Sequence, residues 1–219
     1  MKIYALSMDR NLVAIGFRRI VSYGKKFGFP IKSIYFLDNV NEASFAGSWW
    51  KQKTGDNFTV NYVQNDEAIV RLAKTLSDAD AIALSLMSVQ RNIAKKLCNE
   101  VKKNNPNVKI IIGGYHPTIF PEDAITFGDA ICLGEGEIPF VDFLQRVKDR
   151  RSLAGLKNSW VRENGEIIKS PRQPIMEPQE MEGMPFMEYG LDEQYIFSYA
   201  HGEINRMKEG DLIRHLGTT

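Results

Sequence analysis

Residues 108–125 read VKIIIGGYHPTIFPEDAI. Three isoleucines running into a glycine pair form the pattern of a short strand buried on both faces, as in a parallel sheet. Pro121, followed by Glu122 and Asp123, has the chemistry of a helix start: its missing N–H is harmless there, and the carboxylates suit the positive end of the helix dipole. Between strand and helix lies the segment Gly113–Phe120. The glycine pair removes two side chains where the strand exits, so a ligand or another backbone can come close; a tight turn accounts for it equally well. His116 precedes Pro117, which biases its backbone toward an extended conformation. A lone loop histidine of this kind is more often a hydrogen-bonding surface residue than a metal ligand.

Outward from this stretch the same rhythm repeats. KIYALSM (2–8), IKSIYFL (31–37), DAIALSLM (80–87) and DAICLGEG (129–136) read as further strands, which with 108–114 makes five. Helical spacing is visible in residues 12–29, 66–77, 88–105 and 137–150. Strands alternating with helices predict a parallel sheet covered on both faces. Residues 38–57, which contain Trp49 and Trp50, are irregular, and FTVNYV (58–63) reads as a short extra strand; the tryptophan pair is read as local packing. Asn164-Gly165 between two strand-like runs predicts a β-hairpin over 156–171. The fold class is therefore α/β: a Rossmann-like (flavodoxin-like) five-stranded parallel sheet with helices on both faces, a small hairpin, and an extended C-terminal strap. The expected division is 1–155 for the sheet domain, 156–171 for the hairpin and 172–219 for the strap. Beyond about Gly202 the strap is expected to be mobile or held by a neighbour.

Composition narrows the function classes. Of 219 residues 43% are hydrophobic, with 28 basic against 27 acidic side chains. That balance gives no reason to expect nucleic acid or an anionic membrane as partner. No apolar run approaches the ~20 residues of a membrane span, and the N-terminus lacks a signal peptide's layout. Cys98 and Cys132 stand far apart and read as buried reduced thiols, which fits the cytoplasm. From Glu180 onward eight acidic residues face three basic ones, the mark of a solvated segment or of one that packs on something else.

In a sheet of this kind ligands bind outside the carboxyl ends of the strands. Four such ends carry small or polar groups: Asp9 and Asn11 after the first strand, Ser85, Met87 and Ser88 after the third, Gly113, Gly114, Tyr115, His116 and Pro117 after the fourth, and Gly134, Glu135, Gly136 and Glu137 after the fifth. Ser85 and Ser88 offer hydroxyls to phosphate or amide groups, though Ser88 is also placed to cap the next helix. The GEGE stretch is not a dinucleotide fingerprint: it follows the fifth strand, lacks the third glycine, and Glu135 would repel a pyrophosphate. A phosphoacceptor receiver is also disfavoured, since Ser85 and Gly134 stand near the places of its Asp and Lys.

The ordered set IALSLMS, IIIGGYHPTIFPEDAI, DAICLGEGEIPFVDFL and SWVRENGEIIKSP resembles the N-terminal half of cobalamin-binding radical S-adenosylmethionine enzymes, with MPFMEYGLDEQYI similar to the strap that leads to their catalytic barrel. The resemblance implies cobalamin with its dimethylbenzimidazole tail beside the strands. Ser85 and Ser88 would line the tail and its phosphate, Gly113 and Gly114 would let it pass, Tyr115 to Pro117 would border it, and Gly134 to Glu137 would close the other wall. It further implies a radical SAM domain in the same full-length chain, with a [4Fe–4S] cluster and S-adenosylmethionine, and methyl transfer or related radical chemistry there.

Two departures matter. Domains that ligate cobalt from below carry Asp-x-His-x-x-Gly after the first strand, and here Asn11 takes the histidine's place and Ala14 the glycine's. Base-off cobalamin with no histidine ligand is therefore expected. The cluster-binding CxxxCxxC is absent, so residues 1–219 are expected to be a piece of a longer protein that catalyses nothing alone. A stand-alone flavodoxin-like ligand-binding or interaction module without corrinoid is the alternative reading, and the visible colour of the loaded protein distinguishes the two.

Overall fold

The computed structural model describes residues 1–9, 12–37, 65–172, 174 and 176–216. Asn11, the two tryptophans and the short strand expected at 58–63 lie outside the described residues. The five expected strands are present: β1 (Ile3–Ser7), β2 (Ile31–Leu37), β3 (Ala81–Ser85), β4 (Lys109–Gly113) and β5 (Ala130–Cys132). They alternate with α1 (Ile15–Lys26), α2 (Asp66–Thr75), α3 (Arg91–Asn104), α4 (Tyr115–Ile119), α5 (Pro121–Ala124) and α6 (Glu137–Lys148). The order β5-β4-β3-β1-β2 is parallel throughout and reverses direction between β1 and β3, where a ligand crevice opens in this class of fold.

Alternate residues of each strand serve opposite faces. Leu6, Ile34, Phe36, Ile82, Leu84, Ile110 and Ile112 bury one face against α2 and α3. Ile3, Ala5, Tyr35, Ala81, Ile111 and Ala130 turn to the other, against Phe17 and Val21 of α1 and Phe140, Phe143 and Leu144 of α6. Each fully buried Leu, Ile or Phe contributes about 1.5–3 kcal/mol, so the two apolar layers hold the sheet in place.

The expected hairpin forms as β6 (Ser159–Glu163) and β7 (Glu166–Lys169), with Asn164 and Gly165 both at positive φ, and it extends the sheet antiparallel from β5. The C-terminal strap needs correction. Among the described residues of 171–193 the one regular element is the short helix α7 (Pro178–Glu182), but β8 (Gln194–Ser198) joins β2 in parallel and β9 (Glu203–Arg206) pairs with β8, so the sheet has nine strands among the described residues. Residues 203–216 thus hold a strand followed by α8 (Glu209–Leu216), not a loose end. Ile196 and Phe197 bury on opposite faces of the sheet, and Tyr199 and Met207 are buried too. That burial is the physical reason the acidic tail orders.

The strap is fastened along α1. Arg18, 1% exposed, donates from Nε to the Leu12 carbonyl and from Nη1 to the Glu188 carbonyl and Gln194 Oε1, with its guanidinium 4.6 Å from the ring centres of both Tyr35 and Tyr189. The Glu188 N–H donates to Ser22 Oγ at 2.9 Å, and Lys25 Nζ pairs with Glu188 Oε2 at 2.8 Å.

Candidate functional site

Register places a row of small side chains at the carboxyl edge of the sheet. Ser7 of β1 stands beside Ser85 of β3, and Ser85 beside Gly113 of β4, all on the face covered by α1 and α6. Ala5 and Ala83 are neighbours one step below. Ala83 and Ser85 are partly exposed although β3 has a strand on each side, so an opening reaches them between the sheet and the helices. Ser7 Oγ, on a residue 1% exposed, has no hydrogen-bond partner among the described residues. A buried hydroxyl without a partner costs about 1–3 kcal/mol, and a polar group entering the opening would relieve it. Ser7 and Ala83 were not singled out in the sequence, because only the register makes a row of them.

The two glycines differ in what they permit. A Cβ at Gly113 would meet nothing nearer than the Leu84 carbonyl at 3.9 Å, so the space above it is open. Gly114 has φ +98 and ψ −165, and a Cβ there would stand 2.7 Å from Leu86 O and 2.9 Å from Leu86 N. Gly114 therefore answers to a backbone crossing, where the His116 N–H donates to the Leu86 carbonyl, and only Gly113 leaves room for a ligand.

His116 corrects two expectations. It lies in the short helix α4 rather than in an extended loop, and it is buried, at 4% exposure. Proline is tolerated in a first helical turn, whose N–H groups have no intrahelical partner. The bias before Pro117 yields to two side-chain hydrogen bonds: His116 Nδ1 lies 3.2 Å from Ser88 Oγ, and Nε2 lies 3.0 Å from Asp123 Oδ2. Arg91 grips the same carboxylate through Nε, at 2.7 Å, and Nη2. The Arg91 guanidinium, and to a smaller degree His116, hold the Asp123 carboxyl down at about 2. Ser88 does not cap the helix that follows it; its hydroxyl is committed to His116. Around this cluster Met87, Val89, Tyr115, Ile119 and Phe120 expose apolar surface, Tyr115 to 70%. Pro117 is buried beneath them.

The β5 end is divided between roles. Gly134, at φ +84, has open space where a Cβ would point, and its N–H donates to Thr118 Oγ1, whose hydroxyl donates to the Gly114 carbonyl. Thr118 thereby ties the β4 and β5 loops together. Glu135 Oε2 accepts the Met176 N–H at 2.9 Å and anchors the strap. Gly136 caps α6 where a Cβ would press on Ile20 at 3.1 Å, and buried Glu137 pairs with Arg19 Nε at 3.0 Å. Glu135 and Glu137 thus have structural partners, and Gly134 faces open space.

Asp9 lies just beyond Ser7, and burial pushes its carboxyl up to about 6 from 3.8. The folded state therefore binds this proton more tightly than the unfolded chain does. The stability tied to that proton is fully present below about 4 and is lost as pH rises through about 6. Asp9→Asn is expected to gain in melting temperature relative to wild type as pH rises from 4 to 7. A difference that stays flat across that range contradicts the assignment. Both cysteines are buried free thiols with raised pKa, Cys132 at about 12. Among the described residues no group of three or more His, Cys, Asp or Glu is arranged to hold a metal ion, and no helix is long and apolar enough to cross a membrane.

Residues 53–144 match the family model of the B12 binding domain, a stretch that contains the β3, β4 and β5 ends. An uncharacterized methyltransferase of Pyrococcus horikoshii is 27% identical over 119 residues, 52% of this chain. The chain spans about a quarter (25%) of that relative's length. Among solved structures, the radical S-adenosylmethionine methyltransferase TsrM from Kitasatospora setae, with cobalamin and a [4Fe-4S] cluster bound, has a TM-score of 0.55 at 9% identity, covering 80% of this chain and 30% of that one. The cobalamin-dependent S-adenosylmethionine radical enzyme OxsB, with aqua-cobalamin bound, gives 0.55 at 16% identity, covering 80% and 22%. At these identities the likeness is one of fold.

Proposed function

We propose that this chain, carrying a B12-binding domain, holds cobalamin at the carboxyl edge of its sheet, with the nucleotide tail entering beside Ser7, Ala83, Ser85 and Gly113. The observation that carries the reading is the row of small side chains with the partnerless Ser7 hydroxyl beneath an opening. A threaded tail needs missing side chains and a few hydrogen-bonding groups, and both are present there. Gly134 leaves space at the β5 side, while Glu135 and Glu137 shape that wall through their structural contacts. The exposed apolar residues Met87, Val89, Tyr115, Ile119 and Phe120 suit a broad flat macrocycle or the domain that covers it.

His116 is not a cobalt ligand in this reading, because both its ring nitrogens are engaged and the ring is buried. With the tail in the slot, the benzimidazole is off the cobalt and no protein histidine replaces it. Bound cobalamin supplies a carrier for methyl groups, and in the full-length protein a radical SAM domain of the same chain completes the reaction chamber, in the cytoplasm. The residues present here bind and orient the cofactor and exclude water from its tail.

The test is to incubate the chain with hydroxocobalamin, remove free ligand, and reduce the bound cobalt to Co(II). The expected result is a coloured protein with about one corrinoid per chain and an electron paramagnetic resonance spectrum free of nitrogen splitting. A colourless protein defeats the cofactor reading. Nitrogen splitting that persists in His116→Ala defeats the base-off part, and splitting that vanishes in it defeats the histidine-free part.

A further inference from the structure

We infer that His116 is a positioning residue: through the Arg91–Asp123–His116–Ser88 chain it fixes the Ser88 hydroxyl as a hydrogen-bond acceptor at the rim, selecting N–H groups of the bound corrinoid rather than its phosphate. The inference rests on the cofactor reading above.

The proton order follows from the partners. Arg91 has only donors, and it occupies both oxygens of Asp123. An ionised carboxylate only accepts, so the short contact from His116 Nε2 to Asp123 Oδ2 is an N–H donated by the ring. In its neutral form such a ring has a bare Nδ1, and among the described residues Ser88 Oγ is hydrogen-bonded to it at 3.2 Å. The Ser88 hydroxyl donates inward to Nδ1, and its lone pairs are left facing out from an exposed residue.

This arrangement has a cost that a merely structural histidine would not need. His116 is almost fully buried, yet half its hydrogen-bonding capacity goes to a surface serine, three residues past Ser85 in the slot. A phosphate oxygen needs donors and would find none in the Ser88 hydroxyl. A primary carboxamide, the group that fringes a corrin ring, has an NH2 that suits it. The nucleotide phosphate is accordingly left to hydroxyls deeper in the slot.

The proton order is measurable in the unliganded full chain by two-bond proton–nitrogen correlation spectra of the histidines at neutral pH. The expected result for His116 is a neutral ring protonated on Nε2. In Asp123→Asn the new amide donates to the ring, and the tautomer is expected to move to Nδ1–H. A merely structural role does not require that switch. Ser88→Ala, a change at an exposed position, is expected to weaken cobalamin binding about 3- to 10-fold, the range of one net hydrogen bond. Asp123→Asn is expected to weaken it by a similar factor, and the double variant little further. An Nδ1–H tautomer or a charged ring in wild type overturns the inference. So does a silent Ser88→Ala in a protein that binds cobalamin, which leaves the cofactor reading intact. A wild type that binds no cobalamin defeats both.

Discussion

Gly113→Leu is expected to lower cobalamin affinity about 100-fold or more while leaving the fold intact. The Cβ of a residue at 113 would sit in open space above the Leu84 carbonyl, 3.9 Å away, so the sheet has no cause to shift. The remaining side-chain atoms would project on the face where Ser7 and Ser85 line the opening. A tail and a leucine cannot share that volume. Gly113→Ala, with one methyl group, should fall between leucine and wild type. Thermal unfolding of both variants should match wild type within a few degrees. Full cobalamin affinity in a folded Gly113→Leu protein would remove the tail from this slot.

The next residue should behave in the opposite way. Gly114→Ala is expected to destabilise the protein by about 3–5 kcal/mol, from a strained backbone conformation added to overlap with a neighbouring chain segment. A protein of this size then melts about 10 °C lower. The obstacle is backbone, at 2.7 Å from Leu86 O and 2.9 Å from Leu86 N, and backbone at a strand exit has no rotamer to change. A Gly114→Ala protein that unfolds at the wild-type temperature contradicts the crossing. Loss of cobalamin binding in that variant carries no information about the ligand, which is why Gly113 is the site to substitute.

This contrast also shows what the sequence conveys. The glycine pair announces that something comes close where β4 exits. It does not say that one glycine yields to Leu86 and the other to open space, because that depends on a contact across 28 positions. The β/α alternation, the strand ends and the Asn164-Gly165 hairpin were legible because each is written in local periodicity or turn chemistry. Strand β8 was not. QYIFS is short, follows a proline- and methionine-rich stretch, and finds its partner in β2, more than 150 residues earlier. Its acidic surroundings fit a solvated segment or one that packs on something else, and Ile196 and Phe197 decide for packing by extending both apolar layers.

The candidate site follows the same division. Ser85, Ser88 and Gly113 stood out because they interrupt apolar runs at strand ends. Ser7 also ends an apolar run, but its meaning comes from standing level with Ser85 and Gly113, which is a property of register. Asp123 was read from its position as a helix-start carboxylate. Its tie to Arg91 and His116 depends on how α3, α4 and α5 meet.

The central claim is that the nucleotide tail lies in the slot formed by Ser7, Ala83, Ser85 and Gly113. Equilibrium dialysis of the full chain with cobalamin and with cobinamide, which has the corrin ring but no nucleotide tail, tests it most directly. The account predicts that cobalamin binds at least about 100-fold more tightly, since the tail alone fills the slot and gives the Ser7 hydroxyl a partner. Equal affinities for the two corrinoids would contradict it.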